Sequence, residues 1–343
     1  MTDTEPALTV ALGARSYPIH IGGGLMDRAG ALLTPHLARP RLAVVTDAHV
    51  ASHHLPALTA GLEAAGIAAE VLTLAPGEAT KGWAGLERTV EWLIDRRVER
   101  RDMVLALGGG VIGDLAGFAA AILRRGVRFA QAPTTLLAQV DSAVGGKTGI
   151  NSPRGKNLIG AFHQPVAVIA DIAALDTLPD REFLAGYGEV VKYGALGDRA
   201  FFDWLEANGP ALAAGDTALR AEAVRRSCAN KAAIVARDER EGGERALLNL
   251  GHTFAHALES ATGYSDRLLH GEAVAIGMAL AFDLSARMGL CDPAEAARLL
   301  AHLRAMGMKA ELADIPGDLP DAAALIGAMR QDKKVVGGTL HMV

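Results

Sequence analysis

The sequence predicts an α/β chain in two parts: a parallel sheet covered by helices over residues 1–178, then an all-helical part over 179–343. Three observations predict it. Short apolar runs alternate with amphipathic stretches in the first half, the pattern of strands joined by crossover helices. From Arg181 onward the apolar spacing settles near the helical period of about 3.6, with little strand signal. And 343 residues, 50% of them apolar, can bury a core large enough for two domains.

The elements follow in order. Residues 7–21 alternate and end at Gly22-Gly23-Gly24, which marks β-structure followed by a helix to about Leu37. Arg41 to Asp47 is a short buried strand ending in an acid. That acid can hold an adenosine ribose or cap the next helix, and both readings stay open. Leu55 to Gly66 reads as helix and Ala69 to Leu74 as strand. Pro76-Gly77-Glu78-Ala79-Thr80-Lys81 is a turn with paired charges, and Trp83 to Arg97 an amphipathic helix. The strand Met103 to Leu107 runs into Gly108-Gly109-Gly110-Val111-Ile112-Gly113-Asp114 and a helix to Leu123. This is G-x-G-x-x-G between a strand and a helix, where bare amides approach a pyrophosphate at a helix N-terminus, a Rossmann-like feature. It departs from the ordinary fingerprint, because it is not the first βα unit and no acid ends the next strand.

After Arg124-Arg125-Gly126 comes a strand, Val127 to Ala132; Pro133-Thr134-Thr135 then begins a helical segment containing Asp141. Gly145-Gly146-Lys147-Thr148 and Gly155-Lys156-Asn157-Leu158-Ile159-Gly160 are glycine-flanked lysines. Neither has the G-x-x-x-x-G-K spacing, which excludes a nucleotide hydrolase of P-loop type. Val166 to Ala170 is the last strand, and Leu175 to Pro179 marks the boundary. In the second half, Glu189 and Lys192 are three apart on one helix face, as an exposed ion pair or as functional groups. Ala221 to Val235 is a helix holding Lys231, and the chain ends just beyond Asp332-Lys333-Lys334.

A net charge of −5 with no long basic run makes nucleic acid and anionic membranes unlikely partners. No apolar run approaches the roughly 20 residues of a membrane span, and the N-terminus has no signal-peptide pattern. Two distant cysteines, Cys228 and Cys291, suit a reducing cytoplasm. The basic residues are mostly arginine. The few lysines are Lys81, Lys147, Lys156, Lys192, Lys231, Lys309, Lys333 and Lys334. Lysines kept in such a chain mark positions that need a compact ammonium; Lys309, on an ordinary polar stretch, is assigned to chance.

The strongest chemical signal runs from Arg245 to Met278. His252 and His256 lie four apart, so a helix opened at Gly251 presents both on one face. His270 heads a second helical segment beyond a turn at Gly263. Three histidines close in sequence, beside Arg245 and Asn249, point to a divalent metal site rather than to solvated or core histidines.

Taken in order, these motifs resemble the 3-dehydroquinate synthase family of sugar phosphate cyclases. The matching pieces run from Pro76–Lys81 through Gly108–Asp114, Pro133–Asp141, Val144–Thr148, Gly155–Gly160, Gly188–Gly194, Asn249–His252 and His270–Glu272 to Asp332–Lys334. The resemblance implies a dehydroquinate synthase-like or iron-alcohol-dehydrogenase-like fold: an NAD-binding α/β domain followed by a helical metal- and substrate-binding domain. It implies a zinc (or cobalt) ion held by Glu189, His252 and His270. It implies NAD bound by Asp47, Glu78, Lys81, Gly109, Gly110, Asp114, Thr134, Thr135, Asp141 and Thr177, with Lys147 and Lys156 serving cofactor and substrate alike. Substrate contacts would come from Lys147, Lys156, Asn157, Lys192, Lys231, Arg245, Asn249, His256 and Lys333 or Lys334. Arg125 resembles an arginine that reaches into a neighbouring subunit, implying a homodimer. Gly186-Tyr187-Gly188 departs from the family pattern beside Glu189, and relatives usually continue further beyond Lys334.

The implied substrate is a small sugar acid phosphate, 3-deoxy-D-arabino-heptulosonate 7-phosphate, converted to 3-dehydroquinate in the cytoplasm for aromatic amino acid synthesis. Rival readings are a cyclase of the 2-deoxy-scyllo-inosose or 2-epi-5-epi-valiolone type, a metal-dependent polyol dehydrogenase, and a silent NAD-binding regulator.

Overall fold

A computed structural model describes residues 5–330, together with the backbone of two short strands beyond them. The first stretch contains β1 (Leu8–Val10), β2 (Tyr17–Gly22), α1 (Ala29–Leu33), β3 (Arg41–Asp47), α2 (Ala48–Ala64), β4 (Ala68–Leu74), α3 (Trp83–Asp95), β5 (Met103–Gly108) and α4 (Gly110–Ile122). It continues with β6 (Arg128–Pro133), β7 (Lys147–Ser152), β8 (Gly155–Phe162) and β9 (Val168–Asp171). Then come α5 (Asp180–Ala195), α6 (Arg199–Ala213), α7 (Thr217–Arg237), α8 (His252–Ala261), α9 (His270–Arg287), α10 (Pro293–Ala305) and α11 (Ala322–Met329), with β10 (Val335–Val336) and β11 (Thr339–Leu340) paired antiparallel.

The sheet order is β1-β2-β9-β6-β5-β3-β4, parallel throughout except for β1 at one edge. Alternation along β3 explains its two-sided burial. Ala43 and Val45 pack with Val104, Leu115 and Phe118 on one face, whereas Leu42 and Val44 pack with Leu58 and Leu62 on the other. The chain runs from β3 to β4 on one side and to β5 on the other, so a topological switch point lies between β3 and β5. Open α/β sheets bind ligands beside the carboxyl ends of strands at such a point. Asp47 ends β3 and Gly108 ends β5.

The two glycine-flanked lysines, to which the sequence assigned no element, belong to an antiparallel hairpin of β7 and β8. Gly149 and Gly160 face each other there. A Cβ on Gly160 would lie 2.1 Å from the Thr148 carbonyl oxygen, so the glycines serve close strand approach.

The chain forms two compact units that are not consecutive halves. The first runs to Leu178 and also takes in Thr217–Arg240; the second comprises Pro179–Asp216 and the chain from Glu241. A single boundary at 178/179 therefore leaves out the return of α7. That helix packs against β1, β2 and the short π-helical turn Ala138–Ser142. Cys228 donates its S–H to the Gln139 carbonyl, and Arg220 pairs with Asp176. Its sequence shows a helix but not which unit covers its apolar face. Within the second unit, α9 packs against α5, α8 and α10.

Asp171, at the end of β9, is buried and accepts from the backbone N–H groups of Gly24, Met26 and Ala173. Asp171→Ala leaves those donors unmet and should lower folding stability by about 1–3 kcal/mol in urea denaturation. Parent-like stability would show that they find other acceptors.

Candidate active site

Glu189, His252 and His270 each offer one ligand atom, and these atoms lie within 4.8 Å of one another. Glu189 sits on α5, His252 opens α8 and His270 opens α9. Both imidazole Nε2 atoms lie 3.6 Å from Glu189 Oε1. Their Nδ1 atoms are occupied elsewhere, at 3.1 Å from the Leu250 carbonyl for His252 and 3.1 Å from Glu259 Oε2 for His270. An Nδ1–H donated outward leaves Nε2 as a lone-pair donor toward the shared centre. Burial pulls the His270 pKa down, but the carboxylates of Glu259 and Glu189 outweigh it and hold it up to about 10. The pocket thus favours positive charge between these groups.

Three helices meet here because their contacts lack side chains. A Cβ on Gly271 would lie 1.8 Å from the Ala185 carbonyl oxygen, and one on Gly188 would lie 2.7 Å from the Gly271 carbonyl oxygen. The Gly188 departure from the family pattern therefore falls at the closest approach of α5 and α9. A Cβ on Gly277 would lie 2.2 Å from the Gly251 carbonyl oxygen, between α8 and α9. Glu272 then ties the start of α9 down. It accepts two hydrogen bonds from Arg181, at 2.7 and 2.8 Å, one from the Leu269 N–H and one from Lys309. Burial would raise the Glu272 carboxyl, but these partners hold it below its ordinary pKa. Lys309, assigned to chance from sequence, has this structural task.

Lys192 forms an ion pair with Glu189, and both side chains are 1% exposed. The pair is thus buried, not the exposed pair its spacing also allowed. His256 stands one turn beyond His252, ring centroids 5.6 Å apart, and 6.5 Å from His270. Arg245 is fully buried on a 3₁₀ turn that also carries Asn249, whose amide donates to Glu241.

In the first unit, Asp47 caps α2 by accepting from the His49 and Val50 N–H groups, which fulfils the capping reading of that acid. Gly109 and Gly110 open α4. A Cβ on Gly109 would lie 3.0 Å from Thr135 Cγ2, and one on Gly110 3.1 Å from Ser142 Oγ. Thr134 is buried and donates its N–H to the Gly108 carbonyl. Lys81 bridges Asp114 and the Asn157 side chain. Glu78 accepts from Asn151, whose side-chain oxygen in turn accepts from the Asn157 N–H. Lys231 bonds both the carboxylate and the carbonyl of Asp141, at 2.9 and 2.7 Å. Thr177 Oγ1 lies 2.9 Å from His54 Nε2. Lys147 is exposed, Lys156 half-buried, and Arg125 exposed with φ of 63°. Lys333 and Lys334 lie outside the described residues. Sequence reasoning missed Glu259, Asn151 and Glu241; only Glu259 carried a signal, standing two turns beyond His252 on one helix face.

Residues 71–185 match the family model described as 3-dehydroquinate synthase N-terminal, and residues 186–335 the one described as 3-dehydroquinate synthase C-terminal. The chain belongs to the 3-dehydroquinate synthase family. The 3-dehydroquinate synthase of Ruegeria pomeroyi is 69% identical over 334 residues, covering 97% of this chain and 90% of that one. That of Jannaschia sp. is 67% identical over 343 residues, covering 100% and 92%. Among solved structures, 2-epi-5-epi-valiolone synthase from Streptomyces hygroscopicus, with NAD+ and Zn2+ bound, is similar with a TM-score of 0.87 at 29% identity, covering 97% and 90%. A 2-deoxy-scyllo-inosose synthase complexed with carbaglucose-6-phosphate, NAD+ and Co2+ has a TM-score of 0.83 at 25% identity, covering 96% and 87%. An iron-containing alcohol dehydrogenase, at 17% identity and a TM-score of 0.68, shares the fold. The 3-dehydroquinate synthase relatives thus stand far nearer in sequence than the cyclases of the rival type.

Gly271→Ala forces α9 away from α5. It should cost about 1–3 kcal/mol of folding stability and weaken zinc binding, measured by urea denaturation and chelator competition. Parent-like values in both would show that the helices do not meet at this glycine.

Proposed function

We infer that this chain converts 3-deoxy-D-arabino-heptulosonate 7-phosphate to 3-dehydroquinate and phosphate, a step of the shikimate route to aromatic amino acids. The 69% identity to a 3-dehydroquinate synthase over nearly the whole chain carries the reading, together with an intact Glu189, His252 and His270 set. NAD, used and regenerated within each turnover, and a divalent metal are its resident cofactors.

Each cofactor has residues that fit it. Two imidazole nitrogens and one carboxylate oxygen are a donor set of catalytic zinc sites, which keep a position open for substrate; cobalt suits the same donors. Gly109 and Gly110 at the N-terminus of α4, beside the sheet's switch point, suit a pyrophosphate. When bound, NAD would supply reversible hydride transfer and the metal would supply Lewis-acid activation of a substrate hydroxyl.

The chain's own groups have the remaining tasks. In the first unit, Lys81 and Asp114 hold each other and Asn157 in place around the cofactor. Lys147, Lys156, Asn157 and Arg125 are the donors suited to a dianionic phosphate, and Lys231, steadied by Asp141, is suited to a carboxylate. In the second unit, Lys192 neutralises Glu189 and carries its remaining N–H donors toward phosphate oxygen. Arg245 serves the carboxylate, with Asn249 beside it. His256, just off the metal set, passes protons to and from the substrate. Fixing these groups before substrate arrives contributes several kcal/mol of orientation. The active form is a cytoplasmic homodimer in which Arg125 serves a second subunit. Among the described residues no helix is long and apolar enough to cross a membrane.

Purified protein given the heptulosonate phosphate, catalytic NAD and zinc should release phosphate without accumulating NADH. NADH build-up without phosphate release would instead identify a polyol dehydrogenase. His270→Ala should lose zinc and activity while keeping its circular dichroism; undiminished zinc content would overturn the ligand assignment.

A further inference from the structure

We propose that Glu259 is the positioning residue of the metal site: it fixes the tautomer and ring orientation of His270 and strengthens its Nε2 as a ligand. The inference rests on the metal reading given above and extends it to a residue outside the ligand set.

Glu259 lies on α8, seven residues after His252, so it projects from the same face two turns further on. Its side chain is 3% exposed, and its Oε2 lies 3.1 Å from His270 Nδ1 on α9. A carboxylate has only acceptor atoms, so this contact requires Nδ1 to carry the proton. In the neutral ring, the form that binds a metal, Nε2 is then the lone-pair donor, and it lies 3.6 Å from Glu189 Oε1. His252 is held differently: its Nδ1 meets the neutral Leu250 carbonyl. The two imidazoles thus differ in basicity. The ring that donates to an anion gains electron density at Nε2, whereas the ring that donates to a carbonyl gains less.

Charge points the same way. The buried Glu189 carboxylate already faces the Lys192 ammonium. Two neutral imidazoles add no charge, so a divalent ion brings positive charge that Glu189 alone does not offset. Glu259 supplies a second carboxylate one imidazole ring away, where it acts without occupying a coordination position. It also links α8 to α9 and selects one rotamer of a His270 side chain that is 35% exposed.

The test uses Glu259→Gln, nearly isosteric and still able to accept from Nδ1–H, beside Glu259→Ala. Zinc affinity is measured on metal-free protein by competition with a chromophoric chelator, and the visible spectrum is recorded after loading with cobalt. Glu259→Gln should keep the parent unfolding midpoint, bind zinc about 10–100-fold more weakly and shift the cobalt bands. Glu259→Ala, if it folds, should bind more weakly still. Parent-like affinity and spectrum in folded Glu259→Gln would overturn the proposal while leaving the metal site itself intact. Failure of the parent to bind zinc, or of His270→Ala to weaken it, would instead overturn the underlying metal reading.

Discussion

Keeping one carboxylate ionised in a place water does not reach is the constraint on which the second unit is built. Glu189 is 0% exposed, on the helix that lines the unit's centre. An isolated buried carboxylate would take up a proton rather than pay its desolvation. Here Lys192 one turn along the same helix, and the two imidazoles across from it, give the charge something to meet. Those partners come from three helices, so the backbones must approach more closely than ordinary side chains permit. Gly188, Gly251, Gly271 and Gly277 permit it. Stability and chemistry are therefore coupled through the same glycines: what brings α5, α8 and α9 together also sets the spacing of the donor atoms.

The first unit solves a different problem with backbone instead of side chains. Its sheet reverses direction of winding between β3 and β5, and the bare N-terminus of α4 opens beside that reversal. Around it the polar side chains are tied to one another. Lys81 holds Asp114 and Asn157, Asn151 links Glu78 to Asn157, and Lys231 is clamped on Asp141. Such mutual bonding fixes long side chains before a ligand arrives and lowers the entropy that binding must offset. Family membership joins this architecture to a reaction in which phosphate leaves and hydride returns to where it came from. That reaction needs many cations and no net redox partner.

Much of this was legible in the sequence, and its limits are physical. Periodicity identified the sheet unit and the helical unit, because two-sided burial makes β3 and β5 continuous apolar runs and the later segments keep the helical spacing. The spacing of His252, His256 and His270 pointed to a metal site, whereas Glu189 as a ligand followed only from the family resemblance, because it stands on a helix remote in sequence. The destination of α7 was not legible: its helical pattern reads the same whichever unit covers it. Glycine carries no label for its use, so nothing in the sequence marked Gly149 and Gly160 as partners across a hairpin. Lys309 looked idle because its partner, Glu272, is remote in sequence. Glu259 was missed for the same reason: its importance lies in His270 on a neighbouring helix.

The central claim is that Glu189, His252 and His270 grip one divalent ion. Diffraction from zinc-loaded crystals, recorded on both sides of the zinc absorption edge, tests it most directly. A single anomalous peak is expected about 2.0–2.2 Å from the Nε2 atoms of both histidines and an oxygen of Glu189. Loaded crystals with no peak among these three side chains, or with the ion held by other residues, would contradict it.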